Sequence, residues 1–227
     1  MNKGRMPNDG GNGDADSAIR HSLFDIKFAV IILGAGASSR MGRPKLLLPW
    51  RGSTVIGQVF AQWRELDAAQ VAVVLRPDDA ALAAELNHLH FSQSNRIANP
   101  HPERGMFSSI LCAANWPGWQ PELSHWAIAL GDQPHLRTET LRELLEFSAH
   151  NPDAICQPQF GGHARHPVIL PRMAFEALKN PCADTLKDFL KLSSCRRRRV
   201  IIKDDGLAFD LDTPQDYTRA SAAHPDP

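Results

Sequence analysis

Hydrophobic positions along this 227-residue chain fall into two rhythms. Phe28 to Leu33 (FAVIIL), Val71 to Leu75 (VAVVL) and Trp126 to Leu130 (WAIAL) are unbroken apolar runs. Runs of that length bounded by turn formers predict strands covered on both faces. Between them, apolar residues return every three or four positions. Thr54 to Leu66 places Val55, Ile56, Val59, Phe60, Trp63 and Leu66 on one helical face. Asp78 to Leu89 predicts a helix opened by Pro77 and two aspartates. Met106 to Asn115 and Thr138 to Ser148 predict further helices, and Ile97 to Asn99 a short strand. Regular alternation of strand and helix predicts an α/β fold with a doubly wound sheet and helices on both faces.

After Asn151 the segments shorten. Ala154 to Gln157, Val168 to Leu170, Val200 to Ile202 and Ala208 to Leu211 predict strands, interrupted by helices at Met173 to Lys179 and Thr185 to Leu192. A mixed-sheet region that helps build an acceptor pocket is expected there. At the other end, Met1 to Arg20 is polar and rich in Gly, Asn and Asp, unlike a secretory signal. Residues 1–26 are expected to be a disordered tail and 27–222 a single domain.

Composition narrows the function classes. Lys and Arg number 25 and Asp and Glu also 25, so the balance is not that of a nucleic-acid binder. No run approaches the roughly 18 apolar residues that span a bilayer, so no membrane partner is expected. Cys112, Cys156, Cys182 and Cys195 form no C-x-x-C pair, which predicts reduced, buried thiols and a cytoplasmic setting.

The chemistry concentrates after the first strand, in Leu33-Gly34-Ala35-Gly36-Ala37-Ser38-Ser39-Arg40-Met41-Gly42-Arg43-Pro44-Lys45. Glycines there let the backbone approach a ligand, and exposed N–H groups with a helix start would make an anion nest. Arg40, Arg43 and Lys45 add cations. The dinucleotide pattern G-x-G-x-x-G fails at Ser39, and the P-loop pattern fails because Arg43 and Pro44 follow Gly42. Asp132 follows the apolar run WAIAL in Gly131-Asp132-Gln133-Pro134, where open α/β sheets place ligands. A carboxylate there can hold a hard cation through oxygen. Asp210 and Asp212 share one face if Ala208 to Asp212 is extended, and Thr213-Pro214 then starts a helix.

LGAGASSRMGRPK resembles the signature of the MobA/MocA-like nucleotidyltransferases, and the resemblance runs from about Ala29 to Tyr217. It includes Leu48-Pro49-Trp50, Asn99-Pro100, Gly105-Met106 with Ser108-Ser109, GDQP, His166-Pro167-Val168 and Asp210-Leu211-Asp212-Thr213-Pro214. Within the family the chain is most similar to the molybdenum cofactor cytidylyltransferases. The resemblance implies a Rossmann-like, mostly parallel mixed sheet of the nucleotide-diphospho-sugar transferase type. It implies transfer of a nucleoside monophosphate from an NTP to a phosphorylated acceptor, with release of pyrophosphate.

It further implies Mg2+ held by Asp132 and Asp212, with Asp210 in support. Lys45 would contact the α-phosphate and leaving group, and Arg40 the β- and γ-phosphates. Leu33, Gly34, Ala35, Gly36, Ser38, Arg40, Lys45, Asn99, Gly105 and Ser108 would bind the nucleotide. Gly34 stands where the family usually has alanine, whereas Ala35 matches the cytidylyl type, so CTP is the expected donor. The implied acceptor is molybdenum-bearing molybdopterin, touched by Gly161 to Pro167. A molybdoenzyme or its chaperone is the candidate protein partner. Arg196 to Arg199 is expected to be a solvated basic run beside a strand. Three other readings stay open: transfer from GTP or to another phosphorylated acceptor, a non-catalytic carrier of the molybdenum cofactor, and a dinucleotide oxidoreductase.

Overall fold

Burial along the first strand divides the core in two. In β1 (Phe28–Leu33), Phe28, Val30 and Ile32 enter one apolar layer and Ala29 and Ile31 the other, as a strand's alternation requires. The computed structural model describes Met1, Phe24 and residues 26–224. After β1 come β2 (Pro49–Trp50) and β3 (Ser53–Thr54), which pair as a small antiparallel ribbon. Then follow α1 (Val55–Glu65), β4 (Gln70–Leu75), α2 (Ala80–His88), β5 (Arg96–Ala98) and α3 (Met106–Ala114). β6 (His125–Leu130), α4 (Thr138–Ala149), β7 (Ile155–Phe160), β8 (His163–Ala164) and β9 (Val168–Pro171) continue the chain. It ends with α5 (Arg172–Ala177), α6 (Leu186–Leu192), β10 (Arg197–Ile201) and α7 (Pro214–Ala223).

The large sheet has the order β10-β7-β9-β6-β1-β4-β5, with β8 added on β7. β5, β4, β1 and β6 run parallel, and β10 runs parallel to β7. β9 is antiparallel to both β6 and β7. Residues of α1, α2, α4 and α7 pack in the layer on one face, and those of α3, α5 and α6 in the layer on the other. This is the expected doubly wound, mixed α/β architecture. The order reverses between β1 and β6: from β1 the chain moves outward to β4 and β5, then returns to β6. Ligands of open α/β sheets bind beyond the carboxyl ends of strands at such a reversal.

Several expectations shift. Phe24 and Ile26, assigned above to the tail, are buried, and the rings of Phe24 and Phe28 meet edge-on at 5.9 Å. The rest of residues 1–26, apart from Met1, lies outside the described residues. No α-helix starts directly after the glycine loop; Ser39–Met41 is a single 3-10 turn, so that loop has no long helix dipole behind it. The basic run is not beside a strand but in one, since Arg197–Arg199 begin the exposed edge strand β10. An edge strand needs no apolar pattern, and charge on it blocks unwanted pairing. Of the cysteines, Cys156 and Cys195 are buried, but Cys112 is half-buried and Cys182 exposed.

Ala208 to Leu211 is not a strand. Asp205–Ala208 is a 3-10 turn, and the His135 ring nitrogen Nε2 lies 3.1 Å from the Gly206 carbonyl and 2.9 Å from that of Phe209. Carbonyls occupied this way are not available to a ladder. Asp204 anchors the start of the same segment. Its buried carboxylate accepts from the Thr140 hydroxyl at 2.5 Å and the Gly206 N–H at 3.0 Å, beside the Arg137 guanidinium. Burial alone would raise the Asp204 carboxyl, but these donors and the Arg137 charge outweigh it and hold it below the usual range.

Asp204→Ala should lower stability by about 1–3 kcal/mol, the cost of stranding buried donors. A urea-unfolding midpoint checks it. A second expectation concerns pH. Burial pushes the His125 and His135 imidazoles down, and their carbonyl contacts only partly oppose it. The unfolded chain therefore binds more protons than the folded one below about pH 6.5. Stability should be full above that pH and fall on acidification to pH 5, measured by urea midpoints across the range.

Candidate active site

β1 and β6 are neighbours, and their carboxyl ends release the two segments singled out by their chemistry. Leu33 leads into the glycine loop and Leu130 into Gly131-Asp132. The two connections pass so close that Gly131 admits no side chain, because a Cβ there would sit 2.9 Å from the Leu33 carbonyl oxygen. The glycine loop folds back on itself. Ser38 has left-handed φ (49°), and its Oγ accepts from the Lys45 N–H at 3.2 Å. That closure returns the chain at Lys45, whose side chain points to the carboxyl end of β6.

There Lys45 Nζ donates to the Asp132 carboxylate and lies 3.4 Å from Asp212 Oδ1. Arg40 joins Asp212 from outside at 2.9 Å, and 70% of its side chain is exposed. An exposed pair of this kind contributes little to stability, so Arg40 is free to turn toward a ligand. Lys45 is held above its usual pKa. Burial works to lower it and is the largest single influence, but the charges and hydrogen bonds of Asp132 and Asp212 prevail. Lys45 is therefore a fixed cation at neutral pH. Asp210 takes a different partner, the Gln133 side-chain amide at 3.0 Å. Thr213 caps α7 by accepting from the Asp216 N–H, and Asp216 returns the bond to the Thr213 N–H. This capping box, with Pro214 in the first turn as expected, sets where Asp212 stands.

One cavity of about 380 Å3 gathers most of the expected residues. Leu33, Gly34, Ala35, Gly36, Arg40, Lys45, Gly105, Asp132, Asp210 and Asp212 all line it. Ser38, Asn99 and Ser108 do not. Ser38 is spent closing the loop. Asn99 is fully buried and donates to the Ser108 and Ser109 hydroxyls, while Ser108 donates to backbone carbonyls of the same turn. The cavity also takes in Leu46, Pro102, Met106, Ser109 and Leu130, which sequence reasoning did not assign. Met106 and Ser109 were recoverable in principle, because a spacing of three puts them on the same helical face.

The cavity lining is of two kinds: Arg40, Lys45, Asp132, Asp210 and Asp212 are charged, and Leu33, Ala35, Leu46, Pro102, Met106 and Leu130 are apolar. Among the described residues no group of three or more His, Cys, Asp or Glu is arranged to hold a metal. The protein donors available to a cation here are the oxygens of Asp132 and Asp212. Magnesium is commonly held by one or two carboxylates together with substrate phosphates, so this donor set fits a hard divalent ion that arrives with its nucleotide.

The chain is similar to several known proteins. Molybdenum cofactor cytidylyltransferase of Escherichia coli (strain K12) is 28% identical over 84% of this chain and 93% of its own. Nicotine blue oxidoreductase of Paenarthrobacter nicotinovorans is 32% identical over 62% of this chain and 69% of its own. The crystal structure of Rv0371c from Mycobacterium tuberculosis H37Rv in complex with manganese superposes with a TM-score of 0.61 at 23% identity, covering 86% of this chain and 97% of that one. That structure therefore shares the α/β fold with its mixed, mostly parallel sheet. The model of the MobA-like NTP transferase domain matches residues 30–200, and the chain accordingly belongs to that family of nucleotidyltransferases.

Proposed function

We propose that this protein transfers the cytidylyl group of CTP to the phosphate of molybdenum-bearing molybdopterin, with Mg2+ as the accompanying ion. The observation that carries the reading is the meeting of Lys45, Asp132 and Asp212 in a cavity that apolar side chains also line. A nucleoside triphosphate offers matching chemistry, anionic phosphates and a flat heterocycle. The similarity to the Escherichia coli cytidylyltransferase favours cytosine and the pterin acceptor.

In the reaction an acceptor phosphate oxygen forms a bond to the α-phosphorus. The bond from that phosphorus to the bridging oxygen breaks, and pyrophosphate leaves. Both reactants are anions, so the barrier is largely electrostatic. A unit charge pair at about 4 Å is worth on the order of 4 kcal/mol at an effective dielectric of 20. Lys45 supplies such a charge at the α-phosphate and the departing oxygen, and Arg40 supplies another at the β- and γ-phosphates. The loop from Gly34 to Gly36 brings backbone close to the phosphates, which mainly orients them. Magnesium, when bound by Asp132 and Asp212 with Asp210 in support, adds the charge neutralisation that two carboxylates would otherwise oppose. The manganese of the Rv0371c complex supports a divalent ion in a fold of this kind. No side chain need take a proton from the acceptor, because a phosphate monoester with its second pKa near 6 is already largely ionised at pH 7. Four unpaired cysteines suit the reducing cytoplasm.

Oxidoreduction is the second reading, favoured by the name of the Paenarthrobacter relative. Hydride or electron transfer gives no task to a lysine bridging two carboxylates, whereas phosphoryl chemistry uses all three. Incubating the purified protein with magnesium, each NTP in turn and molybdenum-loaded molybdopterin decides the matter by product mass. The cytosine dinucleotide of the pterin and one pyrophosphate per turnover are expected. A guanine product, or no pyrophosphate with any NTP, rejects the assignment. In the same assay Lys45→Ala and Asp132→Ala should each lose at least ~100-fold in rate while remaining folded, the scale of one well-placed electrostatic group.

A further inference from the structure

The final strand of the large sheet leaves one side of its main chain open. Among the described residues β10 pairs with β7 alone. The Ile155 N–H donates to the Arg196 carbonyl at 2.8 Å, and the Ile202 N–H to the Gln159 carbonyl at 3.2 Å. Main-chain groups alternate in direction along a strand. Arg196, Arg198, Val200 and Ile202 therefore turn theirs toward β7, and Arg197, Arg199 and Ile201 turn theirs away from the sheet. The side chains divide in the same rhythm, but onto the two faces. Arg198 stands opposite Cys156 and Val200 packs on that same layer, while Arg197 stands opposite Ile155 of the other layer. Arg197, Arg199 and Ile201 thus share one face. All three are exposed, Ile201 to 75%. No carboxylate among the described residues forms an ion pair with Arg196, Arg197, Arg198 or Arg199.

Few occupants suit such an edge. A second β10 laid alongside would set arginine against arginine, and like charges opposed across strands are destabilising. Strands that bring no counter-charge are turned away as well. An extended segment with acids at alternate positions meets both features, because its main chain completes the open edge and its carboxylates face the guanidiniums. We propose that β10 is a docking edge for an acidic, extended segment of another protein, which adds a strand to the large sheet outside β10. Cross-strand partners share a face, so the segment sets acids beside Arg197 and Arg199 and an apolar side chain beside Ile201. Its main-chain bonds supply affinity, and the alternate side-chain pairs supply choice. Docking there is independent of the nucleotidyltransfer reading above, since no residue of β10 lines the large cavity.

The probe is a capped, dye-labelled peptide with the core Val-Thr-Glu-Thr-Glu, which matches Ile201 to Arg197 when it runs antiparallel to β10. Binding is followed by fluorescence anisotropy at low salt, with a second peptide carrying Lys in both Glu positions. The acidic peptide should bind and the basic one should not. Arg199→Gln keeps the outward N–H and removes one charge, so it should bind about threefold more weakly, the scale of one exposed ion pair. Arg199→Pro also removes the outward N–H while taking no bond from β7, and should bind at least about tenfold more weakly. Arg199→Gln should keep the wild-type urea midpoint, which preserves the comparison should the proline variant not fold. Hydrogen exchange followed by NMR should find the amides of Arg197, Arg199 and Ile201 slowed only when the acidic peptide is bound, and those of Arg198 and Val200 slow throughout. No binding to the wild-type protein, or binding that leaves those three amides fast, overturns the proposal. Tighter binding of a single-stranded DNA of equal charge overturns it too, as the mark of a general polyanion surface. So does protection of the three amides in the protein alone that rises with its concentration, the mark of a second copy.

Discussion

The ammonium of Lys45 joins carboxylates that are 80 positions apart in the chain, Asp132 at the end of β6 and Asp212 before α7. Without that cation Asp132 would face Asp212 with only the exposed Arg40 to offset the charge of the pair. The cation stays charged because both acids hold its proton in place, and the acids stay together because the cation lies between them. The glycine loop, the close passage at Gly131 and the capping box at Thr213 are understood as means of delivering three charges to one place.

Each of the three arrives by a different device. Lys45 is turned inward by a loop closed on Ser38 rather than by a helix. Asp132 stands at a strand end, where the sheet's own hydrogen bonds give rigidity. Asp212 belongs to a segment with no ladder of its own, so its placement depends on side chains: His135 on two carbonyls, Gln133 on Asp210, and Asp204 anchored by Thr140 and Gly206. The residues from 133 to 140 thus serve twice. They follow one acidic ligand candidate and they dock the segment that carries the other. Docking by side chains is easier to loosen than a strand ladder, so this is the side of the cavity where the charged triad is most exposed to mutation.

Asn99, Ser108 and Ser109 form one hydrogen-bonded set, yet Ser109 alone of the three lines the large cavity. Asn99 and Ser108 are spent holding the turn from 99 to 109 in shape.

The order of strands and helices was legible in the sequence because burial on both faces leaves unbroken apolar runs and burial on one face leaves a helical period. Lys45, Arg40, Asp132 and Asp212 were legible because each sits in a short local motif whose glycines, prolines or caps announce a turn beside a strand end. What the chain alone did not decide was direction. Whether Ser108 or Ser109 enters the cavity depends on the phase of α3 against β1 and β4. Whether Ala208 to Leu211 joins the sheet depends on His135 reaching its carbonyls from more than 70 residues away. Phe24 looked like tail because its apolar partner, Phe28, belongs to a strand that only the folded sheet places beside it. Local pattern records what a segment can do; contacts between distant segments decide which of its groups remain free to do it.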